Sequence, residues 1–368
     1  MSIRVQVVYG LSGLLTIKPQ WQALAGEHAS HYLHFPAWYE AELHARNTAM
    51  FFVCIYDHHG LAAVIPLQKS TLAVKGFTIN ILSLSYPSEM GLCDICSRIS
   101  LAKKHREIWS ALARENMRHA VIKLHYTQHS SHSVSSGITA PTELRKLSHY
   151  TKFLDLENGR EVFYASYSTK FKRDLRRKLG KAEALGTIAL KRFRSDQDLH
   201  TGFREFLSLE NSGWKGEAGT SIIKQPEKLT YYEQLFERYS EAGVLQINLL
   251  SLNDTVIAGQ FGVRVGETLY LLKIAYNEAY KEISPGYLLI DKLIEDENIS
   301  DRIKKLSFVT GVGWIDRWKP SCEPVFVHYL VKNPILQTLA NRFFLAKSGS
   351  EAAPEEQLTT TDTHTHEN

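Results

Sequence analysis

The chain holds 368 residues, 44% of them hydrophobic, with 17 Tyr, 16 Phe and 6 Trp, which is long for one compact core and comfortable for two domains of ~100–200 residues each. A net charge of +4 does not require a nucleic-acid partner, so any argument from positive charge has to be local. No apolar run approaches the ~20 residues of a membrane span, MSIRVQVVYGLSGLLTI lacks the features of a secretory signal, and four cysteines do not make a disulfide framework at this length; the expected location is cytoplasmic.

In chain order, PAWYEAELHARN has helical spacing, and AMFFVCIYDHHGLAAVIPLQ carries two apolar runs around Asp57-His58-His59-Gly60, a hairpin signal. GFTINILSLSY reads as a strand, LAKKHREIWSALAREN as a helix and HAVIKLHY as a strand. The polar stretch from Thr127 to Pro141 reads as a surface loop. Further on, PEKLTYYEQLFERYSEAG predicts a helix ending at Gly243, followed by a hairpin around Asn253-Asp254 and the strand TLYLLKIAY. The helix PGYLLIDKLIEDE and the strand IKKLSFVTGV complete the set. Helix, hairpin, strand, helix, strand thus occurs twice. That predicts an α/β chain of α+β character, with a duplicated module and a mixed sheet flanked by helices in each half. The expected boundaries are 1–160 for the first module, 161–345 for the second and 346–368 for a disordered polar tail.

Between the halves lies YSTKFKRDLRRKLGKAEALG. Ser168 or Thr169 suits the cap of a helix and Gly186 the residue past its end. Phe171, Leu175, Leu179 and Ala182 form an apolar stripe, while Lys170, Arg173, Arg177 and Lys181 line another face that Lys172, Arg176 and Lys178 widen. The basic face is either a solvated surface or an anion site in which arginine forks hold oxyanions. No aromatic residues interleave with it, which speaks against single-stranded nucleic acid.

Ser284-Pro285-Gly286-Tyr287 opens a helix directly after a strand. Pro285 fits the first turn, where its missing N–H is not needed, and Gly286 lets a ligand approach the backbone. A helix start at the end of a strand is where α/β folds bind anionic groups, so this stretch is a candidate pyrophosphate cradle as well as an ordinary junction. Cys93-Asp-Ile-Cys96 has metal-like spacing without a second pair, and only His125, His129 and His132 are near in sequence. It reads as two cysteines on a strand or loop edge, and no metal is expected. No Gly-x-Ser-x-Gly, Walker loop or His-Glu-x-x-His is present.

Four stretches, in order, carry a resemblance. They are the basic helix STKFKRDLRRKLGKAEALG, then FLSLENSGWKGEAGTSI with Glu210, Trp214, Lys215 and Gly216, then AYNEAYKEISPGYLLIDKLI, and last GWIDRWKP with Gly313, Trp318 and Lys319. From about residue 160 to 335 the chain resembles the CelD/BcsL-like acetyltransferases of the GNAT superfamily, relatives of the FemABX peptidyltransferases. FPAWYEAELHA and FFVCIYDHHGLAAVIPL resemble that family's N-terminal portion. The resemblance implies two GNAT-like modules and acyl-CoA as co-substrate. It departs from the pattern at Val309, where relatives often carry Asp, and in lacking the glycine-rich pyrophosphate loop.

The implied chemistry is direct acyl transfer. The acyl group would lie along the strand at Leu272, Ile274 and Ala275, with the cofactor phosphates at Ser284 to Tyr287. A carboxylate would take the acceptor's proton, Glu210 first and Asp316 second, and Tyr276 or Tyr280 would protonate the leaving thiolate. Arg173 and Arg177 would bind substrate. Trp214 with Lys215 and Trp318 with Lys319 read as a sugar or phosphate platform, or equally as core anchors with snorkelling lysines. The implied acceptor is a small molecule or saccharide, such as a cell-surface polysaccharide precursor. Charged tRNA is the alternative donor, as in FemABX-like transferases, and a non-catalytic polymer- or partner-binding module is a third reading. The first module, with no Pro-Gly helix start in MGLCDICSRISLAKKH, is expected to be structural or to form the acceptor side.

Overall fold

The computed structural model describes residues 3–46, 48–74, 77–84, 94–104, 121–127, 142–194, 196–296, 302–309, 311 and 313–331. The expected tail, most of the Thr127–Pro141 stretch, Cys93, and the expected helix beyond Lys104 lie outside the described residues.

The first half contributes β1 (Arg4–Tyr9), α1 (Gly10–His28), a 3-10 turn at Tyr32–His34 and α2 (Pro36–Arg46). The hairpin β2 (Met50–Asp57) and β3 (Gly60–Val74) follows, then β4 (Phe77–Leu84), β5 (Val121–Thr127) and β6 (Thr142–Asp155). Two helices, α3 (Gly159–Ala165) and α4 (Thr169–Leu185), lead into the second half. That half runs through β7 (Ile188–Phe193), α5 (Asp196–Asn211), the short α6 (Trp214–Glu217), a 3-10 turn at Ile222–Lys224 and α7 (Pro226–Glu241). Next come the hairpin β8 (Leu245–Leu252) and β9 (Thr255–Val265), β10 (Thr268–Tyr276), a 3-10 turn at Glu278–Ile283 and α8 (Pro285–Glu295). β11 (Lys305–Ser307), a 3-10 turn at Gly313–Trp318 and β12 (Ser321–Val331) close the described chain.

The strands form one sheet in the order β1-β2-β3-β4-β5-β12-β6-β11-β10-β9-β8-β7. That order reads alike from either edge when β1 to β6 are matched with β7 to β12, so the duplication expected from the sequence is present. Each half is mixed: β4–β5 and β10–β11 are parallel, and the hairpins are antiparallel. The turns at His58-His59 and at Asn253-Asp254 fall where expected. Asn253 takes the left-handed conformation (φ 53°) that asparagine tolerates in tight turns. The sequence reading did not reach the centre, where each half lends its last strand to the other. β6 pairs antiparallel with β11, β12 pairs antiparallel with β5, and β6 and β12 pair with each other from Ser321↔Phe153 to Val331↔Thr142.

Alternating side chains feed two cores. On one face, Ile247, Leu249, Phe261, Val263, Tyr270 and Leu272 pack beneath α1, α2, α5 and α7. On the other, Leu250, Leu252, Leu269 and Leu271 pack beneath α4 and α8 through Leu175, Ala182, Leu288, Leu289 and Leu293. The first core unites the two halves. α2 and α7 each start at a proline that follows a 3-10 turn, and Trp38 of α2 meets Tyr231 of α7 edge-on at 5.7 Å.

Ion pairs fix that contact. Glu40 is buried (1% side-chain exposure) and is held by Lys18 at 2.9 Å and Arg238 at 2.8 Å, while Arg46 joins Glu42 and Glu227, each at 2.8 Å. Removing one member of a buried ion group strands the others in low dielectric. Glu40→Ala is therefore expected to cost about 3–5 kcal/mol in urea unfolding. A loss within a few tenths of a kcal/mol would show that Lys18 and Arg238 find solvent instead.

Candidate active site: a slot where two parallel strands part

β10 and β11 pair only from Thr268↔Lys305 to Tyr270↔Ser307. β10 continues to Tyr276, still paired with β9 on its other edge, and a bulge at Leu272 shifts the register between Leu271 and Lys273. Among the described residues, the β11-side edge of β10 therefore has no strand ladder from Leu271 onward. This is a slot at the carboxyl end of a parallel pair, where open α/β sheets bind ligands.

The opposite rim is the segment after β11. Val309 is buried and holds φ 61°, rare for a β-branched residue, with its N–H donated to Ser307 Oγ at 3.2 Å. Strain of this kind persists only where the surrounding structure imposes it, and it clusters at functional sites. Gly311 passes so close to the Tyr150 carbonyl that a Cβ would meet its oxygen at 2.7 Å.

At the end of β10 the chain turns through Glu278–Ile283, capped by the Asn277 side chain accepting the Ala279 N–H at 3.0 Å, and enters α8. Ser284 adopts the left-handed conformation (φ 54°) and Pro285 opens the helix. The N–H groups of Tyr287 and Leu288 return to the Ser284 carbonyl at 3.0 and 3.2 Å. Pro285 has no N–H, so the Gly286 N–H is the donor of this turn that no carbonyl takes back. A Cβ on Gly286 would meet nothing within 4 Å, so the space before the helix is open.

Charged groups gather at this helix start. Ser168 caps α4 by accepting the Phe171 N–H at 3.2 Å, and Lys178, two turns in, hydrogen-bonds Ser284 Oγ. Lys178 Nζ also lies 5.5 Å from the centre of the Tyr287 ring. Burial lowers the Lys178 pKa; Asp174 opposes this, and Arg317, Arg177 and Lys181 reinforce it. Asp174 bridges Arg177 at 2.7 Å and Arg317 at 2.8 Å, and these bonds hold its carboxyl below the usual range. The Arg317 guanidinium carbon lies 5.9 Å from the centre of the same ring, and the Tyr287 hydroxyl donates to the Trp314 carbonyl at 2.6 Å. The result is a cationic mouth around one helix N-terminus, suited to an anion.

The sequence candidates divide among several places. Ser284, Pro285, Gly286 and Tyr287 form the mouth; Leu272, Ile274 and Ala275 lie on the open stretch of β10. Tyr276, at its end, is 44% exposed, and Tyr280 is half-buried against the second core. Arg177 reaches Asp174, while Arg173 stays exposed on α4. Glu210 and Asp316 are separated by the sheet. Glu210 ends the helix that packs in the first core, is 3% exposed, and accepts the Ile222 N–H at 2.8 Å. Asp316 is on the α8 side, 60% exposed and paired with Lys152 at 2.5 Å. Trp318 is fully buried among Phe163, Tyr167, Phe171 and Tyr287, and its carbonyl accepts the Tyr167 hydroxyl, which favours the core-anchor reading. Lys319 follows it with φ 45°. Trp214 and Lys215 form α6, and Gly216 beside them is required because a Cβ would strike the Asn211 carbonyl at 1.8 Å.

Arg317 and Lys152 were not singled out from the sequence, and Lys178 was counted there only among the residues that widen the basic face. Lys178 had a signal: it sits three residues after Leu175 and four before Ala182, on the border of the apolar stripe rather than the middle of the basic face. Among the described residues no group of three or more His, Cys, Asp and Glu is placed to hold a metal ion. No helix among them is long and apolar enough to cross a membrane.

α8 is anchored at its far side by Asp291, which accepts the Tyr164 hydroxyl at 2.5 Å. Burial raises the Asp291 pKa to about 6, with the Tyr164 bond working against the rise. A raised carboxyl binds its proton more tightly folded than unfolded, so the protein loses stability as pH rises from about 4 to about 6 and levels off above that. Asp291→Asn is expected to flatten this part of the stability–pH curve. A curve unchanged by the substitution would place the titration elsewhere.

Comparison with known proteins bears on the fold. Residues 169–319 match the family model described as an acetyltransferase (GNAT) domain. No curated protein matches the sequence. The fold is similar to that of FemX, with a TM-score of 0.57 at 11% identity over 88% of this chain and 98% of that one. A conserved protein of unknown function from Bacteroides thetaiotaomicron gives 0.56 at 10% identity, over 88% and 100% of the two chains. The C-terminal domain of a protein described as a lysylphosphatidylglycerol synthetase, from Agrobacterium fabrum, gives 0.53 at 10% identity, over 90% and 96%. The overall fold is thus similar to that of these structures, and residues 169–319 resemble an acetyltransferase (GNAT) domain.

Proposed function

We propose that this protein is an acyltransferase that moves an acyl group from coenzyme A directly to an acceptor amine or hydroxyl. The observation that carries the reading is the early end of the β10–β11 ladder, with the cationic α8 start at the far end of the open strand. The pantetheine chain would lie in the slot and complete the ladder with its amides. Its pyrophosphate would meet the Gly286 N–H, Lys178 and Arg317, which take over the work of the absent glycine-rich loop.

Direct transfer needs a group to receive the acceptor's proton, a donor for the thioester oxygen, and a proton for the departing thiolate. An N–H of the open edge near the Leu272 bulge serves as the oxygen donor, and Tyr276 or Tyr280 as the acid. If the donor enters on the α8 side, the acceptor arrives from the opposite face, where Glu210 lies, and this ranks Glu210 above Asp316 as the base. A saccharide acceptor, such as a cell-surface polysaccharide precursor, fits this reading. Charged tRNA as donor is a second one, supported by the exposed cations Lys170, Arg173, Arg176, Arg177 and Lys181 on α4 beside the mouth. It predicts RNA binding that weakens steeply with salt.

Two results test the proposal. A coenzyme A thioester at ~100 times its dissociation constant should stabilise the protein by about 2.7 kcal/mol and raise its melting temperature by a few degrees. Gly286→Leu should abolish the shift while folding normally, because its side chain enters open space at the mouth. A shift that survives in Gly286→Leu would move the cofactor away from α8. Glu210→Gln keeps an oxygen for the Ile222 N–H and so preserves the fold, yet should lower turnover by about 100-fold if Glu210 is the base. Full turnover in that variant would remove it from the mechanism.

A further inference from the structure

The turn at Gly313–Trp318 carries two tryptophans with different surroundings. Trp318 is buried whole, with the Phe163 ring stacked on it at 6.2 Å and 22°. Trp314 is 38% exposed. Exposure alone says little, since single apolar side chains are common on protein surfaces. What sets Trp314 apart is how it is held and what surrounds it.

The Tyr287 hydroxyl donates to the Trp314 carbonyl at 2.6 Å and so fixes its backbone. The Phe308 ring meets the indole at 5.8 Å and 89°, and the Tyr287 ring meets it at 6.0 Å and 69°. Both contacts are of the edge type. Among the described residues, therefore, no aromatic ring lies parallel to the indole. A parallel partner is what a planar ligand would supply.

The surroundings are those of a phosphate site. Tyr287 directly follows Gly286, so the Trp314 carbonyl sits one tyrosine side chain away from the start of α8. Around the same Tyr287 ring stand Lys178 Nζ at 5.5 Å and the Arg317 guanidinium carbon at 5.9 Å. Asp174 is divided between Arg177 and Arg317, and Asp316 pairs with Lys152. Lys178 meets the neutral Ser284 hydroxyl. Asp174 engages Arg317 through Nη2, and a guanidinium has five N–H donors in a planar fork, which suits it to hold an oxyanion as well. A planar platform one side chain from such cations matches a nucleotide, whose ribose spans from phosphate to base and whose base presents a π-face.

Resting on the acyl-transfer reading, we propose that Trp314 is the stacking platform for the purine base of the donor, with Arg317 and Lys178 on the neighbouring phosphates. The acyl end of the donor then enters the slot along β10, and its nucleotide end passes Tyr287 to reach the indole. A purine carried by coenzyme A and one at the 3′ end of an RNA present the same chemistry here.

Saturation-transfer NMR tests this and separates the two sources. With coenzyme A and the parent protein, the adenine H2 and H8 protons should receive at least as much saturation as the pantetheine methyl groups. Trp314→Ala should weaken coenzyme A by about tenfold, the scale of one stack of a base on an aromatic ring. It should leave 4′-phosphopantetheine, which lacks the base, unchanged. Trp314→Phe keeps a ring and should bind coenzyme A nearly as the parent does. Coenzyme A binding that Trp314→Ala leaves intact overturns the proposal. So does an equal loss for 4′-phosphopantetheine, or adenine protons less saturated than the methyl groups. If coenzyme A does not bind the parent at all, the donor reading fails instead, and a short RNA ending in adenosine becomes the probe. RNA binding that Trp314→Ala weakens by about tenfold upholds the platform; RNA binding that is absent or unaffected overturns it.

Discussion

The ladder between β10 and β11 ends at Tyr270 and Ser307, and the candidate site follows from that ending. A strand edge inside a sheet is normally saturated by its neighbour; once the neighbour leaves, its N–H and C=O groups must find another partner or water. The departure is imposed from both sides. Val309 is locked at a positive φ as the chain leaves β11, and the Leu272 bulge bends β10 away. The slot is thus a property of the backbone, and the side chains around it refine its chemistry.

The exchange of β6 and β12 gives the slot its setting. Because each half finishes the other's sheet, the halves cannot separate without breaking the central β6–β12 pairing, and the buried Glu40–Lys18–Arg238 group ties the helical layer across the same junction. A rigid junction of this kind lets His31 and Tyr32, far away in sequence, be held against Tyr270. The pseudo-symmetry is obeyed by the strands and less by the site chemistry. The cationic mouth depends on α4, which lies between the halves.

Much of this was legible in the sequence. Apolar runs flanking turn residues revealed both hairpins, and the Pro-Gly pair located the start of α8. Ser168 and Gly186 marked the limits of α4, where the structure puts them. The exchanged strands were not legible, for a physical reason: β6 carries Arg145, Lys146, His149 and Lys152 and lacks an apolar rhythm, because its neighbours in the sheet come from remote parts of the chain. β1 and β7 are edge strands with the same difficulty. The site was half legible. Spacing finds a helix start, but it cannot show that Lys178 turns toward Ser284, that Glu210 and Asp316 fall on opposite faces, or that Trp318 is buried whole.

Hydrogen exchange measured with and without coenzyme A tests the central claim most directly, because it reads the backbone groups on which the account rests. The account predicts new protection in the peptides covering Leu271–Tyr276 and Ser284–Leu288, with little change along β8 and β9, whose amides are already paired. Protection confined to other segments, or none at a coenzyme A concentration that shifts the melting temperature, would contradict the slot as the cofactor site.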